Sequence, residues 1–258
     1  MGKNKLQRFA ENATFQHFVQ PSFNEIFNQD HSLKGKWHKE FFKNDNPIVL
    51  ELGCGKGEYT VGLAEMYPDK NFLGVDIKGA RMHKGASIVE ERRIKNAGFL
   101  RTRIEFIGSF FAKDEISEIW LTFPDPQMKK VTKRLTSSTF LLKYAQFLKP
   151  DGIIHLKTDS RFLYTYTWEL IKINQLPCLV DQSDLYNDGY TDEILSLKTH
   201  YESKWLEKGI PIKYLRFNLI GSDQITEPDI EIDFDSYHSK GRGYQKRTIV
   251  KGQRLKGK

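Results

Sequence analysis

The octapeptide Glu51-Leu52-Gly53-Cys54-Gly55-Lys56-Gly57-Glu58 leaves few folds open to a chain that contains it. It follows the apolar run Ile48–Leu52 and opens a stretch of helical period, the setting of the first strand-to-helix turn in a nucleotide-binding sheet. Such a turn needs glycines: one permits the bend, another lets a ligand approach the backbone, and the helix that follows presents free N–H groups. Asp76 lies 19 residues past Gly57, at the end of Phe72-Leu73-Gly74-Val75-Asp76, where a carboxylate can accept hydrogen bonds from two ribose hydroxyls. Two common phosphate loops are excluded by spacing. Gly57 follows Gly55 by two positions where a dinucleotide fingerprint wants three, and Lys56 is followed by glycine rather than Ser or Thr, as a P-loop requires.

From Pro47 onward, short β-branched or aromatic runs alternate with helical periods, which predicts an α/β fold with a mostly parallel sheet and helices on its faces. Strands are expected at Ile48–Leu52, Asn71–Ile77, Arg103–Ile107, Ile116–Phe123, Gly152–Lys157, Cys178–Asp181 and Lys213–Ile220. Helices are expected at Glu58–Tyr67, Arg81–Ala97, Ser138–Leu148, Phe162–Asn174 and Glu202–Glu207. The long excursion before the last strand allows it to return antiparallel. Three regions follow: an N-terminal extension over 1–33 with no clear period, a single domain over 34–220, and a tail over 221–258. Within the tail, positions 221–239 hold six acidic residues and no Lys or Arg, whereas 240–258 hold eight Lys or Arg and no acid. The basic end is open to two readings, a flexible arm attracted to phosphate and a solvated tail that serves solubility.

A second constellation sits after the fourth predicted strand, in Phe123-Pro124-Asp125-Pro126-Gln127-Met128. Open α/β sheets bind ligands at that edge, and the two prolines stiffen the backbone on both sides of Asp125, so its carboxylate is preorganised for a substrate. Lys129, Lys130, Lys133 and Arg134 follow at once, a cluster suited to neutralising phosphates. Forty Lys and Arg against 33 Asp and Glu give a net charge of +7, which favours a polyanionic partner such as nucleic acid. No apolar run approaches the roughly 18 residues of a spanning helix, so no membrane association is expected. The start, Met1-Gly2-Lys3-Asn4-Lys5-Leu6, has no apolar segment for export, and two distant cysteines, Cys54 and Cys178, fit a reducing compartment, so a cytoplasmic protein is expected. His38, His83, His155 and His200 do not group with acids or cysteines at metal spacing, and no metal is expected; His155, inside an apolar strand, is expected to pack.

Taken with Lys157-Thr158-Asp159, Thr199-His200-Tyr201-Glu202, Lys34-Gly35-Lys36-Trp37 and Asn44-Asp45-Asn46-Pro47, these motifs resemble the bacterial tRNA (guanine-N7-)-methyltransferase family over about residues 34 to 218. The resemblance implies a Rossmann-like class I methyltransferase whose seven-stranded sheet ends in an antiparallel strand. It also implies transfer of a methyl group from S-adenosylmethionine to guanine N7 in tRNA, at position 46 of the variable loop. Carried over by motif, Glu51, Gly53, Gly55 and Gly57 would line the methionine and ribose side of the cofactor, and Asp76 would hold the ribose. Asp125 would be the active-site aspartate, and Lys129, Asp159, Thr199 and Glu202 would bind substrate. Where the family often places an acid near the adenine, this chain has Gly108-Ser109-Phe110-Phe111, which leaves backbone N–H groups, Ser109 or a phenylalanine face for that contact. Two other readings stay open: a methyltransferase acting on an exocyclic amine, and a non-catalytic RNA-binding protein on the same fold. Monomer and homodimer are both compatible with the sequence.

Overall fold

A computed structural model describes residues 2–190, 192–220 and 224–236, without the side chains of 2–4, 200 and 201. The described residues form one eight-stranded sheet. Its strands are β1 (Phe18–Val19), β2 (Ile48–Leu52), β3 (Asn71–Asp76), β4 (Ala97–Arg101), β5 (Ile116–Thr122), β6 (Leu148–Thr158), β7 (Cys178–Gln182) and β8 (Lys213–Asn218), in the order β1-β4-β3-β2-β5-β6-β8-β7. The pairs from β1 through β6 are parallel, and β8 runs antiparallel to both β6 and β7, as the long excursion allows. Helices α1 (Gly2–Asn12), α2 (Glu58–Met66), α3 (Gly79–Arg92), α4 (Ser138–Tyr144), α5 (Arg161–Ile173), α6 (Glu193–Ser196) and α7 (His200–Leu206) complete it. The central strands are buried on both faces: Ile48, Leu50, Leu52, Leu73, Val75, Ile119 and Leu121 join one apolar cluster, and Val49, Phe72 and Trp120 join the other. This is why these strands read as continuous apolar runs rather than alternating ones.

The third predicted strand is displaced. Arg103–Ile107 falls in a 3-10 segment, Ile104–Ser109, and the strand is Ala97–Arg101. Gly98 hid it, since glycine inside an apolar run signals a turn, yet here a Cβ would sit 2.5 Å from the Phe41 ring, so only glycine fits that layer. The helix expected over Arg81–Ala97 accordingly stops at Arg92, with Arg93 in the left-handed region at φ 54°.

The region over 1–33 is less detached than its composition suggests. The eighth strand, β1, is only two residues long, too short for a period to register, and it caps the β4 edge through Phe18↔Phe99 and Val19↔Leu100. Asn12 is buried and donates from Nδ2 to the Gly79 carbonyl at 2.9 Å, tying α1 to the start of α3. The Lys34–Trp37 motif is a wedge. Trp37 is fully buried and donates from Nε1 to the Phe110 carbonyl at 2.8 Å, while the Glu115 carboxylate accepts from the backbone N–H groups of Gly35 and Trp37. His155 packs as expected, stacked 3.9 Å from Trp120 with Nδ1 2.8 Å from the Tyr214 hydroxyl.

The tail divides. Its basic part, 240–258, lies outside the described residues, but 224–236 pack against the domain. Ile225 enters the core, Glu227 accepts from the Ser138 N–H at 2.8 Å, and Asp235 is buried at the start of α5. Glu227 and Asp235 act as hydrogen-bond acceptors for backbone groups, which composition alone could not distinguish from a solvated acidic run.

Candidate active site

The carboxyl ends of β2, β3, β5 and β6 open into a cleft of about 480 Å³. Its walls include Glu51, Gly53, Gly55, Asp76, Asp125, Asp159 and Thr199, so seven of the expected site residues converge from strands far apart in the chain. Gly57 lies just behind this wall as the residue that opens α2.

The glycine turn is built from left-handed backbone: φ is 84° at Gly53, 58° at Gly55 and 71° at Gly57. Each has its own reason. A Cβ on Gly53 would meet nothing within 4 Å, so glycine there serves conformation and leaves the cleft floor as bare backbone. A Cβ on Gly57 would lie 2.5 Å from the Phe99 ring, because that side chain of β4 packs closely behind the turn. Asp76 sets the turn by accepting from the Gly55 N–H at 3.0 Å and, with its other oxygen, from the Lys78 N–H at 2.8 Å. Each oxygen retains a lone pair for a further donor.

Glu51 lies deeper, with only 5% of its surface exposed. Its carboxylate accepts from the Thr60 N–H at 2.9 Å, the Thr60 hydroxyl at 2.5 Å and the Thr122 hydroxyl at 2.5 Å. Burial outweighs these three donors and, with help from the nearby Asp76 charge, pushes its pKa up to about 7. Cys54 is also buried beside these carboxylates, and desolvation first, then the two charges, push its thiol well above the usual range. It is therefore a packed thiol and not a thiolate nucleophile.

Opposite the glycine turn, two non-glycine residues in the left-handed region bracket the Pro-Asp-Pro segment: Phe123 at φ 50° and Gln127 at φ 46°. Strain of this kind persists only where neighbours enforce it. The Phe123 N–H donates to the Lys157 carbonyl at 2.8 Å, and the Arg134 guanidinium donates to the carbonyls of Gln127 and Met128 at 3.2 and 2.9 Å. Asp125 stands exposed at the mouth, one oxygen accepting from the Gln127 N–H at 3.0 Å. Asp159 ends β6, with its carbonyl held by Lys213 Nζ at 3.1 Å.

Three expected residues lie elsewhere. Lys129 is exposed beyond the cleft edge. Ser109 lines a separate depression with Ile26 and Phe106, where its carbonyl accepts from the His31 N–H. Glu202 is 0% exposed, paired with the equally buried Lys157 at 2.8 Å and accepting from the Tyr186 hydroxyl at 2.5 Å. It also closes a capping box with Thr199 at the start of α7. Its spacing from Thr199 is that of a helix start, which accounts for the motif without a substrate. Conversely, Arg81, Phe123, Met128 and Trp205 line the cleft although none was expected as a site residue. Phe123 and Met128 had a signal as the ends of the Pro-Asp-Pro segment, and Trp205 lies on the same short helix pattern as Glu202.

Solved structures share this architecture at low identity. The 16S rRNA methyltransferase KamB superposes with a TM-score of 0.52 at 13% identity, covering 67% of this chain and 87% of that one. The 16S rRNA (adenine(1408)-N(1))-methyltransferase of Catenulisporales acidiphilia gives 0.51 at 13%, covering 72% and 93%. Fold and glycine turn together have the architecture of a class I methyltransferase. The methyltransferase family model Methyltransf_4 matches residues 45–215. Among curated relatives, the tRNA (guanine-N(7)-)-methyltransferase of Bacteroides thetaiotaomicron is 57% identical over 94% of this chain and 96% of its own length, and that of Porphyromonas gingivalis is 52% identical over 92% and 98%. The chain belongs to the tRNA (guanine-N7-)-methyltransferase family. Among its described residues, no helix is long and apolar enough to cross a membrane.

Proposed function

We propose that the protein transfers a methyl group from S-adenosylmethionine to N7 of a guanine in tRNA, at position 46 of the variable loop, in the cytoplasm. The observation that carries this reading is the opposition of two differently built walls: a bare-backbone turn governed by carboxylates, and a stiffened loop that presents Asp125 at the mouth. The residues suit the donor. Gly53 leaves room for a ligand against its backbone, Asp76 keeps acceptor capacity for ribose hydroxyls, and Glu51 faces the same cleft with a carboxyl poised to ionise. Bound there, S-adenosylmethionine supplies a sulfonium methyl, which guanine N7 can take through its own lone pair with no base to remove a proton.

The chain's own groups then act by alignment and charge. In this reading Asp125 and Asp159 accept from guanine N1 and N2, which selects guanine over adenine and favours the positive charge that grows on the ring. Holding acceptor and donor in line is worth up to roughly 7–11 kcal/mol in well-oriented systems.

The test is incubation with bulk tRNA and methyl-labelled S-adenosylmethionine, followed by nucleoside analysis. Label in N7-methylguanosine is the expected result, and chain scission at that nucleoside maps its position. Label in an exocyclic amine, or cofactor binding without any transfer, would replace this reading with one of its competitors.

A further inference from the structure

We infer that residues 224–236 are a strap that fixes the acceptor wall of the cleft, with Asp235 as its positioning residue. This rests on the function proposed above. The Asp235 carboxylate accepts from the Ser160 hydroxyl with one oxygen and from the Phe162 N–H at 3.1 Å with the other. Ser160 in turn accepts from the Leu163 N–H at 2.9 Å, so the two side chains share the N-terminus of α5, where a negative charge is favoured by the helix dipole. Ser160 directly follows Asp159. The backbone N–H of Asp235 reaches the Met128 sulfur at 3.3 Å, at the end of the loop that carries Asp125. A single strap residue therefore touches both segments that present the acceptor-side carboxylates.

The rest of the strap serves the same loop at one remove. Arg134, whose guanidinium holds the carbonyls of Gln127 and Met128, lies 4.7 Å from the Phe162 ring and 4.4 Å from the Tyr166 ring. Phe234 packs edge-on against Phe162 at 5.5 Å, and Glu227 accepts from the Tyr166 hydroxyl and the Ser138 N–H. The aromatic seat of Arg134 is thus fixed from outside by the strap. Phe123 and Gln127 are held in backbone conformations that relax without enforcement, and the strap and Arg134 together supply it at the Gln127 end. The glycine turn and Asp76 receive none of these contacts, so the strap acts on the acceptor wall and spares the cofactor wall.

The test is hydrogen exchange and kinetics on Asp235→Ala, Asp235→Asn and Phe234→Ala in the full chain. In Asp235→Ala, amide exchange is expected to rise in the peptides covering 124–128 and 158–163 and to stay unchanged in those covering 51–57. In the same variant kcat on tRNA is expected to fall at least tenfold, with the Kd for S-adenosylmethionine within twofold. Asp235→Asn, which keeps one acceptor oxygen, should recover part of the rate. Phe234→Ala alters a half-exposed side chain outside the core, and should raise exchange at 158–163 through Phe162 and at 124–128 through Arg134. Unchanged exchange at 124–128 in both Asp235→Ala and Phe234→Ala would overturn the strap, as would an equal loss of cofactor binding and rate. If exchange rises as expected but the unaltered protein methylates no tRNA, the strap stands and the proposed function falls.

Discussion

Asp125 and Glu51 divide the work of the cleft by environment. Asp125 is exposed and rigidly presented, so its removal should leave the cofactor wall untouched. Asp125→Ala is expected to abolish turnover, with cofactor affinity by calorimetry nearly intact. Glu51 is buried, and burial favours its neutral form, so the folded chain holds that proton more tightly than the unfolded one. Its contribution to stability is complete below about pH 4.5 and is lost as the pH rises through about 7. A cationic cofactor reverses the preference. Affinity for S-adenosylmethionine is expected to strengthen as the pH rises through 7, by at most about tenfold per pH unit, and Glu51→Gln should flatten that profile. Glu202 belongs to a third environment, an ion pair with Lys157 sealed from solvent. Glu202→Gln should cost about 3–5 kcal/mol of stability in a denaturant titration, because it strands a buried ammonium, and the loss should appear equally without tRNA. A selective rise in KM for tRNA at unchanged stability would restore Glu202 to the substrate-binding role that the Thr-x-x-Glu motif suggests.

At the scale of elements, the turn between β2 and α2 depends on the strand behind it, through Phe99 of β4. Gly57→Ala adds a methyl group 2.5 Å from Phe99 and forces an L side chain to φ 71°. The backbone cost alone is about 1–2 kcal/mol. Cofactor affinity is expected to fall more than tenfold in calorimetry as the turn shifts, whereas a nearly unchanged Kd would show that the Phe99 ring yields instead. The same turn was the most legible part of the sequence, because strand, glycines, helix start and Asp76 lie within 30 residues and each has a local signature. β4 was not legible, because the layer that demands Gly98 includes Phe41, 57 positions earlier. The strap was obscured for a related reason. Ile225, Ile230, Ile232 and Phe234 are interspersed with acids, and the partners of two of them, the Ser138 N–H for Glu227 and the Phe162 N–H for Asp235, lie some 70 to 90 positions away. Local patterns reveal what neighbours in sequence enforce, and these elements are enforced from elsewhere.

The whole molecule is a mostly parallel sheet with one edge covered by β1 and its acceptor wall braced by residues 224–236. Removing residues 1–20 would uncover β4, a parallel strand whose free edge invites pairing with another chain. The truncated protein is expected to melt at a lower temperature and to scatter light on warming, while the intact chain stays dispersed. The strap carries a consequence in time. A ribosome adds roughly 5–20 residues per second, so Asp235 follows Pro126 by about 5–20 s. β8, which lies between β6 and β7, is likewise made after both of its neighbours. The donor side of the cleft is thus fully translated while the braces of the acceptor side have yet to leave the ribosome. Because Leu215, Phe217 and Ile225 share the core of the donor-side strands, neither wall is fully packed until the last of these has emerged.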